Sequence, residues 1–341
     1  MANIKDVALR AGVSPSTVSR TLSGKIPVDK ETKEKVMQAV QELNYQPNVF
    51  AQGLKDGKSK TIGLIIPNVR NLVFPAAIRG ITDVAKHYGY TMVLCNTDED
   101  QETESFYVQS LRQRLVDGLI FSTATEKSEH ILKLREEGFP IVLMIRHLGG
   151  TIDAVIADNF SGGYEGAKFL LSRGFRRIAL INGTMGLDLY RQRYAGYKEA
   201  LLEAGVVLDD RLVVHETGDW ETAYEATGRL LTSGAKPDAI FATSDTKALG
   251  VMKALKERKL KVPEDISVLG YDDIETASLM DPPLSTVAQP FYEIGQRAAE
   301  RLMKLIRSKR RPKPVLEKLP VRLVVRDSVG GESYIGGEGS S

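Results

Sequence analysis

The chain has 341 residues, of which 42% are hydrophobic and 26% charged, with a formal net charge of +2. That length predicts two or three domains, and the composition is that of an ordinary soluble globular protein with enough apolar material for real cores. Apolar runs fall short of the roughly 18 residues a membrane span needs, and residues 1–15 carry charges without a signal-type hydrophobic block, so the expected location is the cytoplasm with no membrane partner.

The first sixty residues predict a small helical domain. Asn3 can cap a helix whose apolar positions Ile4, Val7, Ala8 and Ala11 share one face, and Gly12 stops it. Ser14 is a good N-cap for a second helix, and Pro15 suits its first position. Two short helices joined by a glycine turn are the helix-turn-helix arrangement. Val18 and Leu22 are left for the inside, which exposes Pro15, Ser16, Thr17, Ser19 and Arg20 on the half-helix that meets base edges and phosphates in that motif. With Ser14 they form a candidate DNA-binding set. A third helix starting at Asp29 carries Val36, Val40 and Leu43 inward with Met37 beside them, and Asn44-Tyr45-Gln46-Pro47 ends it. Up to Lys60 there are ten Lys/Arg against six acids, an excess of +4, so the remainder sums to −2. Positive charge therefore sits where phosphates would be met.

A polar, Gly-bearing linker precedes the first buried strand, Thr61–Ile66, and strand-like apolar runs then alternate with helical periodicity. Strands are predicted over 90–95, 118–121, 140–145 and 154–157, with helices around 76–87, 101–114 and 128–137. A second series has strands over 177–181, 212–215, 239–242 and 266–269, with helices near 163–172, 194–204, 220–232 and 247–258. A helix over 292–307 and a strand near 321–325 follow. The fold class is therefore α/β: an all-α amino-terminal domain and two doubly wound parallel-sheet halves. The Gly- and Ser-rich tail, residues 329–341, reads as disordered.

Ligands of open parallel sheets lie beyond the carboxyl ends of the strands. The loop after the first strand offers the Asn71 amide and Phe74, which reads equally as a stacking face or a core plug. Arg146 and His147 follow a later strand, and Asp158 and Asn159 another. Chemistry is not indicated. The four histidines, at 87, 130, 147 and 215, come with no Gly-x-Ser-x-Gly, and neither His-x-x-x-His nor Cys-x-x-Cys spacing occurs. P-loop and dinucleotide fingerprints are absent as well. Cys95 is the lone cysteine, which excludes a disulfide framework and a cysteine metal cluster and leaves a buried thiol. Binding without enzyme activity, and without a cofactor, is the expectation.

Ile4-Lys-Asp-Val-Ala8, Ala11-Gly-Val-Ser14, Ser16-Thr-Val-Ser-Arg20, Leu43-Asn-Tyr45, Pro47-Asn48 and Thr61-Ile-Gly63 resemble, in order and spacing, the opening motif of the LacI/GalR family of bacterial transcriptional regulators. The resemblance continues to about Asp327. It implies a homodimer that reads a pseudo-palindromic operator in double-stranded DNA, switched by a small-molecule effector, a sugar or sugar derivative. It implies a helix-turn-helix domain over 1–46, a hinge helix and linker over 47–59, and an effector-binding and dimerisation body over 60–328. In the hinge helix, Asn48 and Gln52 would contact DNA and Leu54 would wedge into a minor-groove base step, kinking the duplex. Phe50 is bulkier than the family's usual residue there. The body resembles the type I fold of periplasmic sugar-binding proteins, with three linking segments between an N-subdomain (about 60–158 and 289–319) and a C-subdomain (about 159–288 and 320–328). The family's effector residues fall on Arg193 in Arg193-Tyr-Ala-Gly196, on Trp220, on Asp272 in Gly270-Tyr-Asp-Asp273, and on Gln289. Ser244 stands where the family has Asn, Asp245 reads as a helix cap, and Arg191 could be an ion-pairing surface residue. Asn71, Phe74, Arg146 and Asp158 complete the candidate set. A catabolite-control branch of the family is governed by a phosphorylated carrier protein as corepressor, and Asn68 to Gly80 and Gln289 to Gly295 look similar to it. A stand-alone sugar-binding transport protein is disfavoured by residues 1–57 and the missing signal segment.

Overall fold

The structure, a computed structural model, describes residues 2–23, 27–45, 59–113, 116–215, 218–308 and 312–331. The expected hinge helix, with Asn48, Gln52 and Leu54, lies outside the described residues, as does the tail from 332 onward. The chain forms two compact units that meet in sequence between Lys60 and Thr61.

The first unit holds α1 (Ile4–Ala11), α2 (Pro15–Ser23) and α3 (Lys30–Glu42). Asn3 caps α1 in a capping box with Asp6. Gly12 ends it at φ 67°, a left-handed conformation that costs a glycine nothing. Val7, Ala8, Val18, Val36 and Ala39 make the core, and an Arg10–Glu42 ion pair of 2.6 Å ties α1 to α3. The inward stripe of α3 runs Val36, Ala39, Val40 and Leu43. Met37, expected beside the core, is off that stripe and 42% exposed, because the 3.6-residue period carries position 37 past the buried face.

The second unit contains two six-stranded sheets. One runs β11-β5-β4-β3-β1-β2, from β1 (Thr61–Ile66), β2 (Thr91–Asn96), β3 (Gly118–Phe121), β4 (Ile141–Met144), β5 (Ala154–Ala157) and β11 (Leu316–Leu319). Its strands are all parallel. The other runs β12-β10-β9-β8-β6-β7, from β6 (Ile178–Ile181), β7 (Val213–Val214), β8 (Ala239–Ala242), β9 (Ser267–Asp272), β10 (Ser285–Ala288) and β12 (Arg322–Val324), with β12 alone antiparallel. Central strands such as β3, β4, β6 and β8 are buried at every position, as strands covered on both faces must be. The helices α4 (Phe74–His87), α5 (Gln101–Gln113), α6 (Glu129–Glu136), α7 (Asn159–Ser172), α8 (Asp188–Glu203), α9 (Trp220–Thr232), α10 (Asp245–Glu257) and α11 (Phe291–Arg307) supply that cover. None of them is long and apolar enough to cross a membrane. The chain passes from one sheet to the other three times, after β5, after β10 and between β11 and β12.

The sequence pattern missed β10 and β11. β10 is short and built from Ser285-Thr-Val-Ala288, whose hydroxyls are buried but satisfied, so hydropathy does not mark it. β11 is an edge strand with a partly exposed Leu-Glu-Lys-Leu sequence. Helices α7 and α8 begin about five residues before the apolar spacing predicts, since α7 opens on buried glycines and α8 on a polar first turn. The expectation of a disordered tail from residue 329 is also corrected: Val329 is not part of a free tail. Its side chain is 7% exposed in the second lobe's core, and the Gly330 amide donates to Ser267 Oγ at 3.0 Å. Cys95 is buried, and burial pushes its thiol pKa up.

Candidate functional site

In the first unit, the start of α2 is a cluster of hydroxyls. Ser14 Oγ accepts the Thr17 amide at 3.2 Å and lies 2.7 Å from Ser16 Oγ and 2.9 Å from Thr17 Oγ1. Ser14, Pro15, Ser16 and Arg20 are exposed, while Thr17 and Ser19 are half-buried. The cap leaves the helix's amino-terminal end facing outward with small side chains around it, a surface that lets a helix approach a groove closely.

In the second unit, a cavity of about 510 Å³ opens between the two sheets. It is built from strand ends: Pro67 after β1, Ser122 after β3, Arg146 after β4, Thr184 after β6, Trp220 after β7, Ser244 after β8, Asp272 at the end of β9 and Gln289 after β10. Of the nine effector-site residues expected from the sequence, Asn71, Phe74, Arg146, Arg193, Trp220, Ser244, Asp272 and Gln289 line it. Asp158 does not. Its carboxylate caps α7, accepting from the Ser161 amide at 3.1 Å and from Ser161 Oγ at 2.9 Å.

The floor is a charged network held by neighbours. Arg193, 3% exposed on α8, donates from Nε to Asn159 Oδ1 at 2.9 Å and from Nη1 to the Thr243 carbonyl at 2.5 Å, with its guanidinium 3.8 Å above the Tyr271 ring. Its Nη1 lies 3.9 Å from Asp272 Oδ1, which also accepts from Gln289 Nε2 at 2.6 Å. Asp272 and Asp273 both sit at positive φ, 118° and 59°, a strained pair for residues with side chains. An Arg326–Asp273 ion pair of 2.7 Å holds this corner in place.

The wall contributes further groups. Trp220 opens α9, lines the cavity and is 37% exposed overall, and Phe74 is both core plug and lining, 2% exposed at the start of α4. Arg146 is clamped by both Glu99 oxygens, the 3.0 Å bond being from Nη1 to Oε2. Arg191 pairs with Glu126 at 3.1 Å and Asp188 at 3.5 Å. Several lining residues went unnoticed in the sequence, among them Arg70, Glu99, Tyr190, Asp219, Glu221 and Lys247. For Lys247 a signal existed: it interrupts the stripe Ala248, Val251, Ala254, Leu255 that faces the core. Asp245, read as a cap, is instead wholly buried in the first turn of α10 behind the cap Ser244.

Asp245 accepts the Ile274 amide at 2.9 Å and the Thr286 hydroxyl at 2.7 Å. Burial first, and then the nearby Asp272 charge, push its pKa up from the ordinary 3.8. Burial raises Asp272 too, against the lowering influence of Arg193. An acid whose pKa is raised by folding binds more protons in the native state, so its contribution to stability is lost as pH rises above 3.8. Asn is the shape of the protonated Asp245: its oxygen can take the Ile274 amide and its NH2 can donate to Thr286. In urea unfolding, the stability difference between Asp245→Asn and the wild type should shift toward the variant from pH 5 to pH 8. A difference that stays flat would show that Asp245 is ionised throughout.

A helix-turn-helix unit carried on the same chain as a two-lobed, cleft-bearing α/β body is the architecture of a DNA-binding regulator. Residues 3–48 match the model of bacterial regulatory proteins of the lacI family, and 167–329 match that of the periplasmic binding protein-like domain. The ribose operon repressor of Halalkalibacterium halodurans is 39% identical over 98% of this chain and 99% of its own. The lac repressor dimer bound to operator and the anti-inducer ONPF superposes with a TM-score of 0.87 at 30% identity, covering 96% of this chain and 98% of that one. A CelR–cellobiose complex does so with a TM-score of 0.75 at 30% identity, covering 96% and 100%. The chain belongs to the lacI family of bacterial transcriptional regulators.

Proposed function

We propose that this protein is a repressor that grips a pseudo-palindromic operator as a homodimer, and that a sugar or sugar derivative bound between the two lobes switches the grip. The observation that carries the reading is the convergence of an aromatic face (Trp220), a carboxylate (Asp272), an amide (Gln289) and a guanidinium (Arg193) on one 510 Å³ space. An indole face packs on the C–H groups of a sugar ring while the polar groups take its hydroxyls. The relatives agree with it: cellobiose is bound in the CelR structure, and the lac repressor is a dimer on its operator. Switching requires only that the ligand bind two states of the body with different affinity.

The test is to select an operator from random duplexes, then measure its affinity by fluorescence anisotropy with and without a carbohydrate panel. Absence of any selected sequence, or operator affinity untouched by every ligand that stabilises the protein, would overturn the proposal. Arg20→Ala in the same assay should cost about 1–3 kcal/mol on the selected operator and flatten preference at one position of each half-site. Equal weakening on all duplexes would mean that Arg20 meets only phosphate.

A further inference from the structure

Lys247 is among the most deeply buried residues of the cleft wall, with 1% of its surface exposed. Its ammonium is held by two hydroxyl groups, Tyr190 Oη at 3.1 Å and Ser244 Oγ at 3.3 Å, and lies 4.6 Å from the centre of the Tyr190 ring. The acids nearby are engaged elsewhere. Asp272 accepts from Gln289 and faces Arg193, and Asp219 caps α9 through the Thr222 amide at 2.9 Å. Among the described residues Lys247 has no salt-bridge partner. Arg193 adds a second cation, 5.5 Å from the centre of the Tyr190 ring. Burial alone would raise the Tyr190 phenol, yet the two cations beside it outweigh burial and bring its pKa below the ordinary value.

Holding an ammonium away from water with no carboxylate within salt-bridge distance is costly, and a counter-ion delivered with the ligand relieves that cost. Resting on the reading of the cleft as the effector site, we propose that the effector is an anionic sugar derivative, a sugar acid or sugar phosphate, whose negative group seats against Lys247 Nζ beside Tyr190 and Ser244. Trp220 and Asp272 then take the ring and its hydroxyls. A neutral sugar would fill the same space and leave the ammonium with Asp219 and Asp272 acting on it only from beyond salt-bridge distance.

The test uses the full chain and matched ligands at constant ionic strength: D-glucose, D-gluconate, D-glucuronate and D-glucose 6-phosphate; D-ribose and D-ribose 5-phosphate; and inorganic phosphate against chloride. Thermal shift titrations should give an acid or a phosphate at least tenfold tighter than its neutral partner, and which arm wins separates carboxylate from phosphate. Lys247→Met should erase that tenfold preference, and Lys247→Arg should keep part of it. Since Lys247 has no salt-bridge partner to leave uncompensated and its buried charge is itself costly, the Met variant should fold, and the Arg variant covers the case in which it does not. Neutral sugars that bind as tightly as anions, a preference retained in Lys247→Met, or no anion that stabilises the wild type would each overturn the proposal. A neutral sugar that binds and alters operator affinity would do so while leaving the cleft's effector role intact. No ligand of either kind altering operator affinity would remove both.

Discussion

Arg193→Met should destabilise the protein by about 3–5 kcal/mol at pH 8, because it removes one partner of a buried charged pair and leaves the other uncompensated. The Asp272 carboxylate would lose the guanidinium 3.9 Å away, and Asn159 Oδ1 and the Thr243 carbonyl would lose their donors. Burial already holds the Asp272 pKa high, and without Arg193 it rises further, so at pH 5 the carboxyl takes a proton and the penalty shrinks. Urea unfolding at the two pH values reads this directly. Adding Asp272→Asn to the variant should recover part of the loss at pH 8 and little at pH 5, the signature of a pair rather than of two independent sites. A loss below about 1 kcal/mol at both pH values would mean that water already screens the guanidinium. Effector-dependent change in operator affinity should vanish along with the stability, since Arg193 ties together the ends of β8, β9 and the start of α7 around the cleft.

How much of this was legible in the sequence divides along physical lines. Apolar runs such as Leu64-Ile-Ile66 and Ile178-Ala-Leu-Ile181 announce buried strands, because a strand covered on both faces needs little else. Asn3, Gly12 and Asp29 announce helix ends through their own hydrogen bonding or backbone freedom. Residues whose role depends on distant partners are silent. Ser285 and Thr286 look like loop residues until Arg326 and Asp245 are seen to satisfy their hydroxyls. Asp158 sits at a strand end like Asp272, yet Ser161, three residues on, takes both of its oxygens, whereas Asp272 is turned inward by a backbone at positive φ. The Asp158-x-x-Ser161 spacing is a local sign of the cap, whereas the inward turn of Asp272 has none. Lys247 is the intermediate case, visible as a charge on an apolar stripe but interpretable only once Tyr190, fifty-seven residues earlier, is seen beside it.

Gly163→Ala should melt about 5 °C or more below the wild type and weaken every ligand that uses Arg193. A Cβ at position 163 would come 2.1 Å from the Arg193 carbonyl oxygen and 2.8 Å from its Cα, far inside contact, and these are backbone atoms that cannot turn aside. The contact is mutual, since a Cβ on Gly196, one turn along α8, would lie 2.1 Å from the Phe160 carbonyl oxygen. Helices α7 and α8 therefore touch backbone to backbone, and one methyl group must push them apart. Overpacking of this kind costs about 1–3 kcal/mol or more, and the gain in helix propensity from Gly to Ala returns at most about 1 kcal/mol. A net loss of about 2 kcal/mol corresponds to roughly 4–8 °C in a domain of this size. Gly186→Ala is the control: its Cβ would meet only Thr184 Oγ1, at an ordinary 3.4 Å, and should change stability by no more than about 0.5 kcal/mol. Because the displaced atoms belong to Arg193 itself, the guanidinium is carried off Asn159 and Asp272 by the same movement. Ligand affinity should thus fall in Gly163→Ala even at temperatures where the protein is fully folded. Unaltered affinity there, with only the melting temperature lowered, would show that α8 absorbs the methyl group without moving the cleft floor.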